Sequence, residues 1–158
     1  MLPEEVTRFI GKTGEAVIME VEKGVIKKFA DAIGDLNPLY WDEEYAKNSR
    51  YGGIIAPPGF WGWPVKWKGA MPIMSELREE VVATISKAGY PRGLDGGIEY
   101  EFFFPVRAGD ILAAVPKIKA IYEREGKTGN MVFTVLETTY LNQDNVLVGK
   151  ERKITIQR

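Results

Sequence analysis

An α+β fold, with a curved antiparallel sheet wrapped around a central helix, is the class the sequence predicts. Three observations lead there: helical periodicity prevails between Val25 and Lys87, strict alternation takes over beyond Tyr90, and short turns separate the last extended runs. Short turns join antiparallel neighbours. The expected order is therefore one early strand, several helices, and four strands in a meander.

The elements follow in chain order. Pro3 to Ile10 is a short amphipathic start, and Glu15 to Val21 reads as a strand. The next helix carries Val25, Phe29, Ala32 and Ile33 on its apolar face, and Gly34 stops it as a C-terminal cap. Asn37 before Pro38 is an extended or turn dipeptide, and Asp42 caps a short helix through Lys47, making this stretch an overhang between regular elements. Gly52 to Gly59, with the Pro57-Pro58 pair, is a constrained passage into another helix bearing Trp61, Trp63 and Trp67. A further amphipathic helix runs from Ser75 to Lys87.

A half-buried strand then places Ile98, Tyr100, Phe102 and Phe104 on one face and Glu99 and Glu101 on the other. Three more strands are expected at Asp110 to Glu123, Asn130 to Leu141 and Val146 to Ile156, parted by the turn signals GKTGN and NQDN.

Composition narrows the function. The 158 residues, 45% hydrophobic and 27% charged, fit a single domain over 1–158 with no disordered tail. With 21 basic against 22 acidic residues there is no positive field to gather nucleic acid. No apolar run approaches the roughly 20 residues a membrane helix needs, and the start has no leader pattern, so a soluble, cytoplasmic protein is expected. Cysteine and histidine are both absent. That removes thiolate nucleophiles, Ser-His-Asp triads, histidine zinc sites and any histidine base from this chain, leaving carboxylates, Tyr, Lys or backbone for catalysis. Neither a metal nor a cofactor is expected.

Two GKT triplets, Gly11 to Thr13 and Gly126 to Thr128, lack the glycine five residues earlier that a phosphate-binding loop requires, having Val6 and Ile121 there. Both read as turns. The run Asp42, Glu43, Glu44 suits a helix N-terminus better than a metal site.

The stretch FADAIGDLNPLYWDEEYAKNSRYGGIIAPPG, Phe29 to Gly59, resembles the signature of the MaoC-like hydratases and dehydratases. EFFFPVRAGDIL, Glu101 to Leu112, resembles the family's strand-turn-strand, and APPGF, Ala56 to Phe60, points to its fatty-acid-synthase-type N-terminal dehydratase subgroup. The resemblance implies a hot-dog fold, pairing with another hot-dog subunit, and an acyl thioester, of coenzyme A or a carrier protein, as substrate. It also implies an overhang Asp and His that activate water for addition across the 2,3 double bond, or that dehydrate a (3R)-hydroxyacyl thioester.

The family Asp and Asn match Asp35 and Asn37, but Tyr40 holds the His position. An unperturbed phenol is only about one part in a thousand ionised at pH 7, a poor base. Pro58 stands where the family has a Gly whose N–H polarises the thioester carbonyl. Loss of one such donor costs roughly 10² to 10³ in rate, unless Gly59 donates instead.

Each candidate also has a plain structural reading. Asp35 and Asn37 are turn formers, and Tyr40 is a packed aromatic. Trp61, Trp63 and Trp67 either line an acyl pocket or serve core and dimer contacts, and Arg107, Arg92 and Lys66 either meet phosphates or solvate the surface. The reading that follows is a substrate-accommodating subunit whose histidine-bearing partner performs the chemistry. A self-sufficient lyase using Asp35 with Tyr40 or water, and a non-enzymatic acyl-CoA or acyl-carrier binding module, are the alternatives.

Overall fold

The computed structural model describes residues 2–64, 76–127 and 129–158. Its elements are α1 (Glu4–Thr7), β1 (Val17–Glu20), α2 (Lys23–Ile33), α3 (Pro38–Trp41), α4 (Glu43–Asn48), β2 (Trp63–Pro64), α5 (Glu76–Lys87), β3 (Gly93–Phe102), β4 (Ile111–Gly126), β5 (Gly129–Leu141) and β6 (Leu147–Gln157). The six strands form one antiparallel sheet in the order β2-β1-β4-β5-β6-β3. Register shifts in the β3–β6, β4–β5 and β5–β6 pairs bend the long strands, and these bends curl the sheet.

Strands β4, β5 and β6 form the expected meander, but β3 departs from it. Instead of lying beside β4, β3 crosses to the far edge and pairs along its length with β6. An edge strand has one neighbour, and almost every residue of β3 is exposed; Ile98, Tyr100, Phe102 and Phe104 are 44%, 38%, 50% and 56% accessible. The half-burial expected of this strand is therefore not provided by the described residues.

One cluster packs Val6 and Phe9, at the N-terminal turn, with Leu77, Val81 and Ile85 of α5 against Ile118, Ile121, Val132 and Leu136 of the sheet. The other packs α2, α3 and the 54–61 passage against Leu112, Ala114, Tyr140 and Val148. In α2 the buried residues are Ile26 and Ala30, flanked by Val25 and Phe29, whereas Ala32 and Ile33 are exposed. Positions 25, 26, 29 and 30 follow the i, i+1, i+4, i+5 face of a helix. α2 ends at Ile33 against Gly34 in the left-handed conformation (φ 70°), whose N–H returns to the last helical carbonyls.

The Trp-bearing helix does not form over the described part of its range. Trp61 lies in irregular chain and Trp63 in the two-residue strand β2, while Trp67, Lys66 and Ser75 lie outside the described residues. Gly59 and Gly62 have φ of 87° and 86°, and a Cβ at Gly62 would stand 2.8 Å from the Glu20 carbonyl. The chain is thus pressed against β1 by a backbone approach that helical geometry does not allow.

On the outer sheet face a ladder of charge crosses four strands. Glu137 accepts from Lys119 at 3.4 Å and from Arg152 Nε at 2.8 Å, and Arg152 also pairs with Glu101 and Glu99. The Glu99 and Glu101 side chains expected opposite the aromatic face thus hold β3 to β6.

Candidate functional site

The overhang is built by local hydrogen bonds. Asp35 Oδ1 accepts from the Asn37 N–H at 3.0 Å, Asn37 Oδ1 accepts from the Leu39 N–H at 3.1 Å, and the Trp41 indole donates to the Asp35 carbonyl at 2.9 Å. Asn37 thereby caps α3, whose first residue is Pro38, and Asp42 Oδ1 caps α4 through the Tyr45 N–H at 2.9 Å. The turn-forming reading of Asp35 and Asn37 thus describes a real part of what they do. It also delivers Tyr40 inward, to 6% exposure.

A cavity of about 610 Å³ opens at this point. Of the residues singled out from the sequence, it brings together Asn37, Tyr40, Pro58, Gly59 and Trp61. Asp35 sits just behind, close enough for its carboxylate to act on the Tyr40 phenol, but does not line the space. Arg107 is also off the wall: its Nε donates to the Tyr51 carbonyl at 3.1 Å and its N–H to Asp110 Oδ2 at 2.7 Å, tying the overhang to the β3–β4 connection. The Arg92 backbone pairs with that of Arg158, away from this cavity.

Burial pushes the Tyr40 phenol above its ordinary value; Asp35 and then Tyr51 add to the rise, while Asn37 works against it. At neutral pH Tyr40 is a protonated phenol, able to donate a hydrogen bond but not to take a proton. Pro58, on the wall, has no N–H, whereas the Gly59 N–H beside it has no partner among the described residues. A side chain at Gly59 would begin 3.6 Å from the Tyr100 ring.

The inner wall is aromatic. Trp61 stacks on Tyr140 with centroids 4.4 Å apart and rings 11° from parallel, and on Phe102 at 5.4 Å. It lies directly over Gly149: a Cβ there would strike the indole and stand 2.8 Å from the Glu101 carbonyl. The Trp61 Nε1–H is buried and has no acceptor among the described residues.

Arg50, Tyr51 and Phe102 to Phe104 also line the space and were not singled out from the sequence. Arg50 Nη2 donates to the Tyr51 hydroxyl at 2.6 Å with its guanidinium 4.8 Å above that ring, leaving an exposed cation at the mouth. Its signal was position, inside the segment that carries the family resemblance. No group of three or more His, Cys, Asp or Glu side chains is arranged to hold a metal among the described residues.

Residues 8–151 match the family described as the FAS1-like, dehydratase domain region. A UPF0336 protein of Streptomyces avermitilis is 34% identical over 107 residues, spanning 68% of this chain and 66% of that protein. A probable enoyl-CoA hydratase alpha subunit of Thermomonospora curvata is 26% identical over 134 residues, 81% of this chain but 42% of that protein. Among solved structures, the ChsH1-ChsH2 complex from Mycobacterium tuberculosis superposes with a TM-score of 0.81 at 17% identity, covering 97% of this chain and 91% of that one. The fold is the hot-dog fold of the MaoC-like dehydratases.

Proposed function

The chain belongs to the FAS1-like dehydratase family, and on that premise we propose that it is the substrate-accommodating subunit of an enoyl-thioester hydratase or (3R)-hydroxyacyl-thioester dehydratase whose histidine-bearing partner performs the acid-base chemistry. The observation that carries this reading is a cavity of acyl-chain size whose catalytic wall holds a buried, protonated Tyr40 and the N–H-less Pro58. Ligand pockets run roughly from 300 to 1,000 Å³, and this one lies within that range.

Hydration needs a base to take a proton from water and donors to receive charge on the thioester oxygen. Among the described residues that line the cavity there is no such base, and Gly59 beside Pro58 has an unpaired N–H to offer as donor. Accommodation, by contrast, is well provided for. Phe102, Phe103, Phe104 and Trp61 offer an apolar wall to the acyl chain, and exposed Arg50, with Arg107 across Tyr51, offers cations to the phosphates of a coenzyme A or pantetheine arm. The relative from T. curvata is itself named as one subunit of a hydratase, and the superposing structure is a two-component complex.

The test is hydration of a short trans-2-enoyl-CoA, followed by loss of enoyl-thioester absorbance. The chain alone is expected to show no turnover, and a histidine-bearing hot-dog subunit purified with it is expected to show turnover above roughly 1 per second. Turnover by the chain alone, lost in Asp35→Ala, would establish the self-sufficient lyase instead. Binding without turnover in every assembly would leave the binding module.

A further inference from the structure

Among the described residues, both buried clusters use one face of the sheet, that of Leu112, Ile118, Leu136 and Tyr140, and Gln157 of β6 donates to the Val82 carbonyl of α5 on the same side. Side chains alternate along a strand, so the residues between these point the other way. On that outer face the register lines up two apolar rows. Tyr122, Phe133, Ile156 and Leu94 stand side by side across β4, β5, β6 and β3, and Ala120, Val135, Ile154 and Gly97 form the next row. The Tyr122 and Phe133 rings lie 5.2 Å apart and 2° from parallel, with the Arg124 guanidinium over both. No side chain of these rows belongs to either buried cluster, and Leu94 is 44% exposed.

The third row is the charge ladder: Lys119 on β4, Glu137 on β5, Arg152 on β6 and Glu99 on β3. Its signs alternate from β4 to β3. Its two ends are lightly engaged within the chain: Lys119 Nζ is 3.4 Å from Glu137 with its side chain 56% exposed, and Glu99 is 3.8 Å from Arg152 with its side chain 64% exposed. A row of this kind is complementary to itself. Turned about a two-fold axis that runs along the strands between two facing sheets, Lys119 meets the Glu99 of a second chain and Glu137 its Arg152, while Tyr122 meets Leu94 and Phe133 meets Ile156. Such self-complementarity is what the isologous contact of a closed dimer requires. A two-fold axis across the strands would instead set the ladder on itself like against like, or on the apolar rows, so the charge pattern also fixes the direction of the axis.

We propose that this outer face binds the same face of a second copy of the chain, sheet on sheet, about such an axis. The contact is separate from the open edge of β3 and its aromatic face, so one chain can use both at once. It does not depend on the acyl-thioester reading.

The experiment is sedimentation velocity of the whole chain over a wide range of concentration, beside Val135→Lys in the middle of the two rows. Val135→Lys is expected to weaken self-association about ten-fold or more, because two lysines without partners would be buried across the axis. Ile98→Lys, on the other face of the sheet, is expected to leave a pair of chains, and the two substitutions together a monomer. Should Val135→Lys lose the circular dichroism of the folded sheet, Leu94→Lys on the edge strand carries the test with an expected loss of about three-fold or more. A monomeric wild type, an unchanged sedimenting mass in the outer-face variant, or a monomer on Ile98→Lys alone overturns the proposal. The chain has no cysteine, so a mixture of Leu94→Cys and Tyr122→Cys chains reads the axis with a short bifunctional maleimide. Unlike chains are expected to be joined in preference to like ones, and the reverse preference overturns the two-fold.

Discussion

Glu151 is a carboxyl that the fold holds where charge is costly, and this has a consequence for stability. Burial raises its pKa in the folded state, so its contribution to stability is fully present below the ordinary carboxylate range and is lost as pH rises through the raised value. Glu151→Gln removes that loss. The variant is therefore expected to gain on the wild type in denaturant midpoint as pH rises from below the ordinary carboxylate value of 4.5 toward neutrality, and the gap then levels off. A gap that shrinks over the same interval would reverse the sign of the burial effect. Glu151 did not stand out in the sequence, because its surroundings are brought in by sheet register. Asn37, Tyr40, Pro58, Gly59 and Trp61 were legible because one continuous segment, 29–59, and the turn after it deliver them all. Asp35 and Arg107 belong to that same neighbourhood, yet their side chains are spent on the overhang's own bonds and leave the wall to others.

Among the elements, strands and helices with tight local signals lie where the sequence put them: α2 stops at Gly34, Asp42 caps the short helix that follows, and β4 to β6 form the meander, whereas the one-turn helix that Asn37 caps at 38–41 was read as a turn dipeptide. The Trp-bearing helix does not form over its described residues because apolar spacing says nothing about how closely backbones approach, and at Gly62 it is the Glu20 carbonyl that decides. The same kind of contact makes Gly149 a sensitive position in β6. Gly149→Ala forces either the indole of Trp61 off the Tyr140 ring or β3 off β6, since the Glu101 carbonyl blocks the other side. Overpacking of this kind typically costs about 1 to 3 kcal/mol. The expected result is a denaturant midpoint lowered accordingly, with a shift in Trp fluorescence that a uniform loosening of the sheet would not confine to this stack. On the other face, Arg152→Ala leaves Glu137, with its side chain 9% exposed, with Lys119 as its remaining ion-pair partner. A hydrogen-bonded charge left in that position costs about 1 to 3 kcal/mol, and equilibrium unfolding of the variant measures it.

At the scale of the whole molecule, the pattern of β3 and the place of β3 do not agree among the described residues. Alternation of Ile98, Tyr100 and Phe102 with Glu99 and Glu101 calls for one covered face, yet the strand stands at the sheet edge with its apolar residues about 40 to 50% accessible. The charged face is already engaged by Arg152, so the covering must come to the apolar face and to the strand's open edge. Unpaired strand edges with flat apolar faces are the surfaces by which sheets continue into a second subunit. A hot-dog partner that supplied the histidine would complete the site and the burial of β3 in one association. Sedimentation velocity is expected to find the isolated chain self-associating in the absence of that partner. Ile98→Lys, which sets a charge on the exposed face at 44% accessibility without touching the Trp61 stack, is expected to shift it toward monomer. The same substitution is expected to weaken capture of the histidine-bearing subunit by about ten-fold or more, since a buried lysine without a partner costs at least that much. An unchanged sedimentation profile, with unchanged hydratase activity on mixing, would place the partner elsewhere on the molecule and leave the alternation in β3 without an interface to explain it.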